Sequence, residues 1–176
     1  MQAWTVRAWG EPESLTLEDI PAPEPKPGEL LIRHHASGLN FFDLLQVRGL
    51  YQIKPPFPFS PGAEVAGLDL ASGRRVLALP ITGGFAELSA VPAERVFPLP
   101  DDWSFAEGAG FLITYHTGWY ALHRRAQLRP GETLLVHAGA SGVGLAAIHI
   151  GKALGARVLA TAGSPEKRDF ALSLGA

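Results

Sequence analysis

The segment from Thr133 to Ala162 constrains this chain more than any other. Thr133-Leu-Leu-Val-His-Ala138 is a short apolar run of the kind that forms a strand covered on both faces. Gly139, Gly142 and Gly144 follow at once in a G-x-x-G-x-G spacing, and Leu145 to Leu154 reads as a helix closed by Gly155. Arg157-Val-Leu-Ala-Thr-Ala162 is a second buried run. Ser164 and Pro165 then offer an N-cap and a first-turn proline to a last helix running from Glu166 toward Leu174. The pattern is β-α-β-α, the opening part of a doubly wound parallel sheet. Two parallel strands do not make a finished sheet, so the chain is expected to be a fragment or to take its other strands from elsewhere.

The glycines carry chemistry in that setting. They permit a tight turn from strand to helix and let backbone N–H groups approach a pyrophosphate at the positive end of the helix. A glycine cluster alone is weak, but between a buried strand and a helix, with a second strand after it, it points to a dinucleotide held by Gly139, Ala140, Ser141, Gly142, Val143 and Gly144. The end of the second strand bears on which dinucleotide. An Asp or Glu there would hold ribose hydroxyls; this chain has Ala162-Gly163-Ser164, with Lys167 and Arg168 in the next turn. A hydroxyl and cations suit a 2′-phosphate, so Ser164 and Lys167 join the cofactor-binding residues and NADPH is the expected cofactor.

The preceding hundred residues have another character. Short apolar runs at Glu29 to His35, Glu64 to Leu68, Arg75 to Leu79, Phe85 to Ala90 and Arg95 to Leu99 alternate with Pro and Gly, which suggests a compact β barrel or sandwich. The Pro-rich stretch 21–28 is an exposed connector. Asn40 to Val47 reads as one short helix. Ser104-Phe-Ala-Glu107 is a capping box that opens a helix, and a second helix is expected over Gly118 to Arg125. The resulting division is 1–122 and 123–176. Charge divides the same way, net −6 before residue 123 and net +4 after it.

Composition removes several classes. The absence of Cys excludes disulfides, thiolate nucleophiles and Cys-based zinc sites. An overall charge of −2 gives no reason to expect nucleic acid. No signal peptide or apolar run of membrane-spanning length is visible, so the expectation is a cytoplasmic protein with no membrane partner.

Several segments together resemble the medium-chain dehydrogenase/reductase superfamily, and within it the zinc-independent NADPH:quinone oxidoreductase (zeta-crystallin-like) family. They are Ala36-Ser-Gly-Leu-Asn-Phe-Phe-Asp43, Arg48-Gly-Leu-Tyr51, Pro61-Gly-Ala-Glu-Val-Ala-Gly67, Phe111-Leu-Ile-Thr-Tyr-His-Thr117 and Leu128 through Gly144. The resemblance covers nearly the whole chain. It implies a GroES-like β-rich domain that holds substrate, followed by the first part of a Rossmann dinucleotide-binding domain. It also implies a cytoplasmic enzyme that is a homodimer at full length, and a chain that lacks full activity without the remaining Rossmann strands.

The resemblance also assigns roles. Asn40 stands beside the acceptor and would donate its amide N–H to a quinone or enone oxygen. Tyr51 is a pocket residue and Thr117 lies at the nicotinamide. The family often has a further Tyr where this chain has Leu45. Zinc-dependent relatives carry a Cys where Asn40 aligns, a His at Ala63 and a Cys near Ile113, so no metal is expected. The adjacent His34 and His35 would face opposite sides of a strand and read as ordinary strand residues. Glu64 persists from the zinc pattern and reads as structural. Without a Lewis acid to polarise a carbonyl, the expected acceptor is already electrophilic, a quinone or an α,β-unsaturated carbonyl. The alternatives are an enoyl reductase for thioester-linked substrates and a non-catalytic crystallin-like or RNA-binding protein.

Overall fold

The computed structural model describes residues 1–176 as two compact units, Met1–Leu112 and Ile113–Ala176. No helix is long and apolar enough to cross a membrane.

In the first unit, β1 (Gln2–Thr5) pairs antiparallel with β2 (Thr16–Asp19). The sequence pattern announces no strand at either segment. In β1 only Ala3 and Thr5 are buried, and in β2 only Glu18 is even half-buried, so period-two alternation is faint in β2. The pairing is fastened by side chains instead, with Thr5 and Thr16 hydroxyls 3.1 Å apart and an Arg7–Glu18 ion pair. The remaining strands are β3 (Glu29–Ser37), β4 (Val65–Asp69), β5 (Arg75–Ala78), β6 (Leu88–Pro92) and β7 (Val96–Pro98). They form an antiparallel sheet in the order β6-β3-β4-β5-β7, with a register shift between His34 and Ala36.

Alternation puts successive residues on opposite faces, and both faces of β4 and β5 are buried. Val65, Val76 and Ala78 join Ile32 and Val91 in one core, while Ala66 and Leu77 join Leu99, Ala109 and Leu112 in another. A short helix, α1 (Phe41–Val47), lies between β3 and β4 in the chain and has Asn40 as its N-cap residue. The second core is covered by α2 (Phe105–Ala109), which starts as the capping box requires. Ser104 Oγ accepts the Glu107 N–H at 3.2 Å, and Glu107 Oε2 accepts the Ser104 N–H at 2.7 Å.

The second unit begins inside α3 (Leu112–Trp119), which continues as a π-helical stretch over Tyr120–Arg125. The helix expected from Gly118 therefore starts earlier, at Leu112. Gly118 reads as a helix boundary in sequence, but it is an interior contact. A Cβ there would lie 2.9 Å from Ile150 Cδ1, so a side chain would have to displace the end of Ile150.

Then come β8 (Thr133–Val136), α4 (Gly142–Ala153), β9 (Arg157–Ala160) and α5 (Pro165–Ser173). β8 and β9 are parallel and in register from Thr133↔Arg157 to Val136↔Ala160. Val136, Ile148, Val158 and Ala171 form the core of this unit. The expectation of burial on both strand faces is met on one only: Leu135 and Leu159 point away from that core and are exposed.

Candidate functional site

Residues of the first unit gather around the start of α1. Asn40 is half-buried and held by two buried carboxylates. Its backbone N–H donates to Asp43 Oδ2 at 2.7 Å, and its side-chain Nδ2 donates to Glu64 Oε2 at 3.0 Å. Burial is the main reason the Asp43 carboxyl is pushed up to about 6. The Asn40 and Gly62 N–H groups oppose that rise, and the neighbouring Glu64 charge adds to it. Two oxygens in this cluster, Asp43 Oδ1 and Gln46 Oε1, are buried without a hydrogen bond. Tyr51 follows α1, its ring 5.2 Å from that of Phe42 on the helix. Leu39, Phe41 and Leu50, which flank these residues in sequence, are exposed and apolar. Asp43 and Gln46 give no sequence signal, because a polar residue on a short helix reads as solvated until the packing around it is known.

The two strand histidines are structural. His34 Nδ1 donates to Ala86 O at 2.6 Å, so Nε2 accepts from the Ser89 hydroxyl at 2.7 Å. Burial lowers its pKa and keeps that neutral tautomer. His35 stacks on Phe105. No group of three or more His, Asp or Glu side chains is arranged to hold a metal ion. A cavity of about 600 Å³ opens between the β1–β2 pair and Phe85, but none of Asn40, Tyr51 or Thr117 lines it. Its one charged residue, Glu87, already accepts the Gln2 N–H.

The second unit builds its site from backbone. At the end of β8 the chain turns through Ala138, whose φ of +53° is rare for a residue with a Cβ. Thr161, just beyond β9, clamps this turn: its Oγ1 accepts the Ala138 N–H at 3.2 Å and its carbonyl accepts the Gly139 N–H at 2.9 Å. Sequence reasoning misses Thr161, since it sits unremarked inside an apolar run. A Cβ on Gly139 would fall 2.8 Å from Ala160 Cβ, and one on Gly144 would fall 2.3 Å from Ala138 O. Neither position accepts a side chain. Ser141 caps α4, its Oγ accepting the Gly144 N–H at 3.1 Å. The N–H groups of Gly142 and Val143 have no acceptor within the helix, and both residues are exposed. No acidic residue lies in the first turn of α4. This cradle fits an anionic phosphate group.

α3 borders the cradle. Thr114 Cγ2 would lie 3.1 Å from a Cβ on Gly142, and Thr117 is exposed one turn further along the same helix. The residues expected at the 2′-phosphate are less open than the sequence suggests. Ser164 Oγ accepts the Lys167 N–H at 3.3 Å as N-cap of α5, and its hydroxyl also bonds Glu166, lowering that carboxyl's pKa. Arg168 pairs with Asp169. Lys167 is exposed and enters none of the ion pairs.

Comparison with known proteins agrees with this architecture. Residues 26–101 match the alcohol dehydrogenase GroES-like domain. The whole chain aligns with the quinone oxidoreductase of Mus musculus at 37% identity, covering 56% of that protein. It also superposes on the quinone oxidoreductase from Thermus thermophilus, whose complex with NADPH is known, with a TM-score of 0.93 at 45% identity, covering 58% of it. The Escherichia coli quinone oxidoreductase complexed with NADPH gives 0.92 at 30% identity and 57% coverage. Over its whole length the chain is similar to the quinone oxidoreductases of the medium-chain dehydrogenases/reductases. It spans a little over half the length of these family members, so it carries the GroES-like domain and the β-α-β-α unit that follows in them.

Proposed function

We propose that this chain belongs to an NADPH-dependent oxidoreductase that passes reducing equivalents to a quinone or an α,β-unsaturated carbonyl without zinc. The observation that carries the reading is the glycine-lined cradle between β8 and α4, where Gly139 and Gly144 have no room for a side chain. The family relatives bound to NADPH support it. In this reading residues 123–176 hold the cofactor and residues 1–122 hold the acceptor.

Gly139 and Gly144 keep the strand-to-helix turn close, so that the N–H groups of Gly142 and Val143 can meet the pyrophosphate, with Ala140 and Ser141 lining the turn. Ser164 shapes the loop after β9, and the exposed Lys167 supplies the charge that favours a 2′-phosphate. When bound, NADPH supplies the reducing equivalents from its nicotinamide. Asn40 donates its second amide proton to the acceptor oxygen and stabilises the negative charge that grows there during reduction. Tyr51 packs the acceptor, and Thr117 contacts the nicotinamide from α3. The natural ligands are small molecules, and no basic-aromatic stripe for nucleic acid is among the residues used.

Steady-state oxidation of NADPH by a panel of quinones and enones, at full length, tests the reading. Turnover with NADPH in preference to NADH, reduced about tenfold in kcat/KM for the acceptor by Asn40→Ala, is expected, one hydrogen bond being worth about that factor. No turnover with any electrophile despite saturable NADPH binding would overturn the enzymatic reading.

A further inference from the structure

We infer that Glu64 is a positioning residue that selects which end of the Asn40 side chain faces the acceptor; this rests on the acceptor role proposed for Asn40. An Asn side chain ends in a carbonyl oxygen and an NH2 group of nearly equal size, and either can face a ligand unless a neighbour decides. Only the NH2 group can donate to a quinone or enone oxygen. Glu64 supplies the decision. Its carboxylate is 1% exposed, and Oε2 accepts one proton of Asn40 Nδ2 at 3.0 Å. A carboxylate oxygen accepts from an N–H and repels an amide oxygen, so it turns the NH2 group toward itself and leaves the second proton on the same nitrogen for the acceptor.

The surroundings hold both partners in place. Glu64 immediately precedes β4, and its carbonyl accepts the Gly38 N–H at 2.8 Å, joining the start of β4 to the end of β3. Its carboxylate reaches beside Gly38, where a Cβ would lie 2.8 Å from Oε2 and 2.1 Å from Ala109 O. Glycine at 38 therefore makes the room through which Glu64 meets Asn40. On the other side, Asp43 Oδ2 takes the Asn40 backbone N–H at 2.7 Å and fixes the main chain from which the amide projects. With backbone and side chain each held by a buried carboxylate, the amide has one orientation. A Glu that packs the core without this duty would have no effect on acceptor kinetics beyond its effect on folding.

The test is a kinetic cycle at full length, with thermal melts to verify folding. Asn40→Ala and Glu64→Leu should each lower kcat/KM for the acceptor about tenfold, and the double variant should also lose about tenfold rather than about a hundredfold, because both remove one interaction. KM for NADPH should not change. Glu64→Gln should lose less than Glu64→Leu, since its carbonyl oxygen can still accept from Asn40 although its NH2 group no longer forbids the flipped amide. Folded Glu64→Leu with unaltered acceptor kinetics, or additive losses in the double variant, would overturn the inference while leaving Asn40 as the donor. Unaltered kinetics in Asn40→Ala would overturn the acceptor role and the inference together. Should Glu64→Leu not fold, NMR of the Asn40 side-chain amide decides. One proton, bonded to Glu64, should stay in place on adding a quinone while its partner on the same nitrogen shifts; no shift of either proton would overturn the inference.

Discussion

The two units reach specificity by opposite means. Around Asn40 the first unit concentrates side chains: two buried carboxylates, an amide and a glutamine packed beside a β core, with hydrogen bonds between residues as far apart in sequence as Asn40 and Glu64. Around Gly144 the second unit removes them, and what is left is backbone N–H groups at the start of a helix. A side-chain site can be tuned or broken by changing one functional group. A backbone site is broken by adding almost anything. That difference sets the order in which substitutions should hurt.

The largest effect is expected at Gly144. Gly144→Ala puts a Cβ 2.3 Å from a backbone carbonyl, a clash no rotamer relieves, and should cost about 3 kcal/mol or more of stability together with nucleotide binding. Calorimetry and nucleotide titration would register both, and an unaltered variant would break the comparison.

Asp43 gives the next largest. Its carboxyl is pushed up to about 6 by burial, so between about pH 4 and 6 the folded chain binds a proton that the unfolded chain has released. The contribution of Asp43 to stability therefore falls as pH rises through that window. Asp43→Asn keeps an acceptor for the Asn40 N–H and removes the charge. It should be neutral at pH 4 and stabilising by about 2 kcal/mol at pH 8, after discounting for partial solvation. Urea denaturation at the two pH values measures the difference, and an equal effect at both would mean the carboxyl is not perturbed.

Removing a side chain from the backbone site should matter less. Ser141→Ala loses one helix cap, worth about 1 kcal/mol in a thermal melt. Arg7→Ala should move stability least, because the Arg7–Glu18 pair is at the surface. Its signature is local: the Glu18 carboxyl, held at about 2 mainly by its hydrogen bond to Arg7, should titrate higher by NMR.

The same contrast explains what can be read from the sequence. The strand, glycine loop, helix and second strand of the second unit are local in the chain, and their period and glycine spacing announce them. So are the Ser104 and Ser164 caps, each written in four residues. The β1–β2 pair is not legible, because Thr5 and Thr16 stabilise each other across a connection that carries no hairpin signal. Nor is the duty of Glu64, which depends on β4 beginning beside the end of β3. Thr161 is hidden for a related reason: its role is to clamp a turn that lies more than twenty residues earlier.

The central claim is that the β8–α4 cradle holds a dinucleotide whose 2′-phosphate is favoured by Lys167. The most direct measurement is a fluorescence titration with NADPH and NADH, on this chain and at full length, with and without Lys167→Glu. Saturable binding that favours NADPH, with the preference lost in Lys167→Glu, is the predicted result. Equal affinity for the two nucleotides, or no binding of either at full length, would contradict it.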